Sequence, residues 1–181
     1  MGKLTSPAAW FIADANVLID YAQTSPTVLG LVAQHVGPVY VAADVLDEVE
    51  QLDVAQCRAI GLTVVDGNLA QLTQASQRGG PLSFEDKLCL ILAKDNGWAC
   101  LSNDGPLRQA CQTQGIPVVW GLEIMLPLVE GQHLSAADAM QVAQAIHAVN
   151  PMFITTKVLA AFQKKVADKT PKNASGTPPT P

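Results

Sequence analysis

The chain has 181 residues, of which 49% are hydrophobic and 15% charged, and a net charge of −5. This composition excludes a disordered chain, and the length suits one well-cored domain better than two. No apolar run approaches the ~18 residues of a membrane helix, the start "MGKLTSPAAW" lacks the basic region and apolar core of a secretory signal, and acidity argues against a broad DNA-binding face, so a cytoplasmic location is expected.

In chain order, "AWFIA" reads as a buried strand, followed by helical "NVLIDYAQ" and "PTVLGLVAQHV". A second strand, "PVYVA", leads into a helix over "ADVLDEVEQL", and a third, "LTVV", into helices over "NLAQLTQASQ" and "FEDKLCLILAKDNG". The strand "ACLS", the helix "GPLRQACQTQG" and the strand "IPVVW" complete the alternation, with Gly97 and Gly115 where helices stop. Such β-α alternation predicts an α/β protein with a parallel sheet of about five strands and helices on both faces. Beyond "VVWG" the pattern is purely helical: "SAADAMQVAQAIHAV", capped by Ser135, and "NPMFITTKVLAAFQKKV", beginning after Pro151. The end, "DKTPKNASGTPPTP", is expected to be disordered. From Gln163 onward four lysines face one aspartate, so the tail is basic and the body more acidic than the whole. The expected organisation is one domain over residues 1–162, C-terminal helices included, with the end of the last helix and the tail over 163–181. The four cysteines form no C-x-x-C pair, which argues against a zinc site and for reduced core thiols.

Four acids stand in unexpected places. Asp14 follows the first strand and Asp104 the fourth, and sites in open α/β sheets form outside the carboxyl ends of strands. Glu48 shares a helical stripe with Val45 and Leu52, and Asp86 one with Cys89, Leu90 and Ala93. Each has a plain structural reading as a cap, a solvated helix residue, a dipole partner or a turn residue. Their joint placement is what calls for an explanation. Two carboxylates ~5 Å apart repel by roughly 3 kcal/mol at an effective dielectric near 20. If the four converge, protons or a cation must offset that repulsion, and a hard divalent ion suits oxygen ligands. The chemistry that follows is metal-assisted hydrolysis or phosphoryl transfer. Lys87, Lys94 and Arg108 are available for phosphate contacts, although surface solvation is the plainer reading of each.

The motifs "D-x-N-V-L-I" around Asp14, "V-L-x-E-V" carrying Glu48, "S-F-E-D-K-L-C-L-I-L-A" around Asp86 and "L-S-N-D-G-P-L-R" around Asp104 resemble, in this order, the PIN-domain family of metal-dependent ribonucleases. The resemblance covers roughly residues 9–125, and the helical continuation looks like that of VapC-like, toxin-type members. It implies a three-layer fold with the first and fourth strands adjacent. It also implies an acidic site of Asp14, Glu48, Asp86 and Asp104 binding Mg²⁺ or Mn²⁺, and an endoribonuclease that hydrolyses RNA phosphodiesters. Asn16 would orient Asp14 or a metal-bound water, Ser102 and Asn103 would support Asp104 or touch the phosphate, and Glu85 competes with Asp86 as the inner ligand. The implied partners are an RNA substrate, an antitoxin protein and a second copy of the chain, with no membrane.

Two alternatives stand beside this reading. A catalytically silent module of the same fold would receive a partner's Arg in its acidic pocket. A receiver-like domain would be phosphorylated on Asp66 of "LTVVDG", but it lacks the usual acid pair and the Lys after the fifth strand.

Overall fold

The computed structural model describes residues 10–171. Its five strands are β1 (Phe11–Ala13), β2 (Val39–Ala42), β3 (Thr63–Val65), β4 (Ala99–Leu101) and β5 (Val118–Val119). They are the five apolar runs that the sequence marks as strands. All pair in parallel, in the order β3-β2-β1-β4-β5. β1 is central and buried at every residue. It meets β4 in the register Phe11↔Ala99, Ile12↔Cys100, Ala13↔Leu101.

The helices are α1 (Ala15–Thr24), α2 (Pro26–His35), α3 (Ala43–Leu46), α4 (Val54–Ala59), α5 (Leu69–Ala75), α6 (Phe84–Asn96), α7 (Gly105–Thr113), α8 (Leu126–Glu130), α9 (Ala136–Val149) and α10 (Thr156–Lys169). A 3₁₀ turn (Leu122–Met125) precedes α8. From β1 the chain steps outward to β2 and β3, then returns across the sheet to β4 and β5. With right-handed crossovers, this reversal sends α1–α4 to one face and α5–α7 to the other. The α/β class and parallel sheet of the sequence reading are therefore what the chain forms.

Local chemistry sets the helix ends. α6 opens with a Ser83–Asp86 capping box and closes on Gly97, whose φ of 68° is left-handed, where glycine has no Cβ penalty. Gly115, at φ 70°, stops the chain after α7 in the same way. Ile12, Leu18, Leu88 and Leu101 lie fully buried at the centre of the sheet–helix core. α9 and α10 add Ala143, Ile146, Phe162 and Val166 to the same core, so the 162/163 boundary falls inside a helix that packs as one piece.

The structure corrects three helix expectations. α3 stops at Leu46 and the chain turns through 47–51, so Glu48 lies on a turn, not on a helix. The reason is Asp53, whose capping box with Gln56 starts a separate helix, α4, that the sequence reading omitted. The last helix begins at Thr156 with Thr155 as its cap, and it runs through Asp168 and Lys169, which the sequence assigned to the disordered end. The rest of that tail, from residue 172, lies outside the described residues. Among those described, no helix is long and apolar enough to cross a membrane.

The strand order also excludes the receiver alternative. In that fold β3 lies inside the sheet, next to β1. Here β3 is the edge strand and Asp66 beyond it is exposed.

Candidate active site

The reversal between β1 and β4 creates a topological switch point, the place where a crevice opens at the carboxyl ends of strands. Asp14 stands there. Its N–H donates to the Leu101 carbonyl (3.0 Å), which extends the β1–β4 pairing by one step and sets Asp14 beside Ser102. It is the N-terminal flanking residue of α1, yet its carboxylate makes no capping bond to that helix. Instead the Ser102 hydroxyl donates to Asp14 Oδ2 at 2.8 Å. Asp14 is only 3% exposed. Burial pushes its carboxyl up to about 6, and the nearby charges of Asp86 and Asp104 push the same way against the lowering effect of Ser102.

Asp104 begins α7. Its Oδ2 accepts the Leu107 N–H (2.7 Å), while its own N–H donates to Ser102 Oγ (3.0 Å). Asp86 lies in the first turn of α6, where its Oδ2 accepts the Ser83 N–H (3.0 Å). Asp86 thus sits at a helix N-terminus as its plain reading has it, whereas Asp104, read plainly as a turn residue, caps α7; each commits one oxygen to its helix end. Glu48 is largely exposed, yet its carboxyl titrates above the usual range. Partial burial of the carboxyl is the first cause, followed by the charges of Glu85 and Asp86. Of the two competing acids, both act on Glu48, and Asp86 also acts on buried Asp14.

The supporting residues divide. Ser102 links Asp14 to the Asp104 backbone. Asn16 is half-buried in the first turn of α1 and makes no hydrogen bond to Asp14. Asn103 turns elsewhere: its Nδ2 donates to Asp20 Oδ2 (3.2 Å) and its Oδ1 accepts the Gly121 N–H (2.9 Å).

That network introduces a residue the sequence reading missed. Asp20 is 2% exposed and also accepts from Asn150 Nδ2 at 2.7 Å, so it joins α1, the β4–α7 loop and the end of α9. Burial raises its carboxyl to about 6, opposed by the two amide donors. The signal was present: Asp20 lies on the stripe of buried Val17 and Tyr21, the pattern that singled out Asp86.

The donor set is carboxylate oxygen throughout, which is the chemistry of a hard divalent cation. The two ion pairs among the described residues, Lys165–Glu123 and Lys169–Glu130, involve none of Asp14, Asp20, Glu48, Glu85, Asp86 and Asp104. The donors therefore fit such an ion in kind. Their spacing is looser, because among the described residues no three His, Cys, Asp or Glu side chains come close enough together to hold a metal as they stand.

Fold and site together define an α/β protein with Asp14 buried at its switch point, close enough to Asp86 and Asp104 to feel their charges. No protein-family model matches the chain, and no curated protein matches it. A solved structure similar to it is a PilT N-terminus domain protein from the hyperthermophilic archaeon Sulfolobus solfataricus P2. That similarity has 8% identity and a TM-score of 0.49, over 64% of this chain and 90% of the other.

Proposed function

We propose that the chain is a divalent-metal-dependent endoribonuclease of the PIN-domain type. The observation that supports this most is Asp14, buried at the switch point in the field of Asp86 and Asp104, with no cation paired to any of the three among the described residues. A buried acid among like charges is costly, and it persists where a site has use for it.

Asp14, Asp86 and Asp104 would hold Mg²⁺ or Mn²⁺, with Glu48 and Glu85 at the outer side. The ion would supply charge neutralisation at the phosphate and a water of lowered pKa. The protein's own residues do the rest. Ser102 fixes one oxygen of Asp14. The Ser102–Asp104 bond holds the two strand-end acids in one frame. Glu48 stands at the outer side of these acids, its carboxyl raised first by partial burial and then by the charges of Glu85 and Asp86. The toxin-type reading, with an antitoxin protein and a homodimer, rests on the motif likeness.

The second reading is a catalytically silent binding module, and the loose spacing of the acids favours it. Cleavage of a labelled RNA with Mn²⁺ separates the two. The nuclease reading expects cutting by the wild type, none in excess EDTA, and none by Asp14→Asn or Asp104→Asn. Full cutting by both variants in EDTA would sink it.

A further inference from the structure

We propose that the cleft between Trp120 and α10 takes one nucleobase of the RNA strand, while Arg108 takes the adjoining phosphate. This rests on the ribonuclease reading and assigns a substrate subsite to it.

The cleft has a volume of about 250 Å³ and is lined chiefly by Trp120, Leu122, Ile154, Val158 and Phe162, with Asn103 at its inner end. Sites that bury drug-sized ligands run to ~300–1,000 Å³, so this one suits a single flat ring system. It adjoins the loop that carries the strand-end acid Asp104, because its lining residue Asn103 lies in the chain between Ser102 and Asp104. Its mouth carries the Lys165–Glu123 pair, which offers a donor and acceptors to the edge of a ring.

Arg108 identifies the occupant. Its guanidinium carbon lies 3.4 Å from the centroid of the Trp120 ring, a cation–π stack that holds the group flat. It makes no ion pair among the described residues, and its buried Nε has no hydrogen-bond partner. A flat guanidinium with unused donors matches a phosphate. Arg108 does not line the cleft, so Trp120 serves the guanidinium with one surface and the cleft with another. Asp104 precedes Arg108 by one helical turn, so a phosphate on Arg108 would lie on the same side of α7 as that acid. An apolar peptide would leave Arg108 unanswered, whereas a nucleotide satisfies both halves.

The test uses Asp14→Asn as the uncut parent, with a fluorescent single-stranded ribo-oligomer and an abasic oligomer of equal length, read by anisotropy. The parent should bind the base-bearing strand about tenfold tighter, the order of one base–aromatic stack. Ala161→Trp, at an exposed α10 position lining the cleft, should bring that ratio to about one. Val158→Phe should do the same from one turn earlier. Arg108→Ala should weaken both strands alike and reduce the salt slope by about one. A parent ratio near one, or a ratio that both filling variants leave unchanged, overturns the proposal. Cleavage by the wild type without base dependence keeps the ribonuclease reading and removes the cleft. Base-dependent binding that the filling variants abolish, with no cleavage by the wild type, does the reverse.

Discussion

Ser102 donates its hydroxyl to Asp14 across the boundary between β1 and β4, with 2.8 Å from Oγ to Oδ2. The same oxygen accepts the Asp104 N–H at 3.0 Å. One side chain thus couples the acid after the first strand to the acid after the fourth, at the point where the sheet order reverses. The crevice owes its frame to this fully buried hydroxyl more than to any contact among the acids themselves.

Ser102→Ala tests that frame. It removes the donor to a buried carboxylate and the acceptor of a backbone N–H together. Hydrogen bonds to charged groups contribute ~1.5–3 kcal/mol, so stability at pH 7.5 should fall by about that amount. If the acids bind Mn²⁺, its affinity should also fall ~10–100-fold, the usual effect of losing a group that orients a ligand. Urea denaturation and Mn²⁺ titration measure the two effects separately. An unchanged affinity would show that Asp14 needs no support from Ser102.

Asp86 has two roles that different substitutions separate. Asp86→Asn keeps an oxygen for the Ser83 N–H but removes the charge, whereas Asp86→Ala removes both. Only the alanine variant should lose stability in EDTA, by about 1 kcal/mol for a lost cap. Both should lose the rise in Tm that Mn²⁺ gives the wild type, a gain of ~2.7 kcal/mol at a hundred times Kd. A full Mn²⁺ response in both variants would remove Asp86 from the metal site.

The sheet was legible because each strand is a short, continuous apolar run bounded by turn residues, and burial on both faces demands that pattern. Asp14, Asp86 and Asp104 were legible because charge interrupts or heads an apolar stripe. The adjacency of β1 and β4 came from the family resemblance, since strand order is a long-range property that local pattern does not carry. Glu48 was misplaced on a helix because Val45, Glu48 and Leu52 fit a 3.6 period. Val49 and Leu52 are indeed buried, but from a turn, and the Asp53–Gln56 box decided the break. Asn103 was read toward Asp104, its neighbour in sequence. Its partners, Asp20 and Gly121, are distant in the chain.

Asp20 gives the protein a pH dependence of definite sign. Its carboxyl lies near 6 in the folded chain against an ordinary 3.8, so between these values the native state holds a proton that the unfolded state has released. Its contribution to stability is full below about pH 4 and disappears as pH rises through 6. Asp20→Asn cannot ionise. Relative to the wild type, it should gain up to about 3 kcal/mol between pH 4 and pH 7.5. The comparison cancels the parallel shift of Asp14, which both proteins share. Denaturation at the two pH values gives the difference directly, and a constant gap between wild type and variant would contradict the assignment.

Gly121→Ala probes the other side of the same network. The backbone at Gly121 is helical, with φ −51°, so alanine meets no conformational penalty there. The obstacle is contact: an added Cβ would lie 2.7 Å from Asn103 Nδ2 and 2.9 Å from its Oδ1. Asn103 must then move, and its bonds to Asp20 and to the Gly121 N–H are strained together. A cost of ~1–3 kcal/mol is expected for such overpacking. If Asn103 is the cause, the penalty should shrink when Gly121→Ala is made in an Asn103→Ala background. The double-mutant cycle should then show a coupling above ~0.5 kcal/mol between the two sites. Additive losses would mean that the new methyl is not resisted by Asn103, and so not by the loop that carries Ser102 and Asp104.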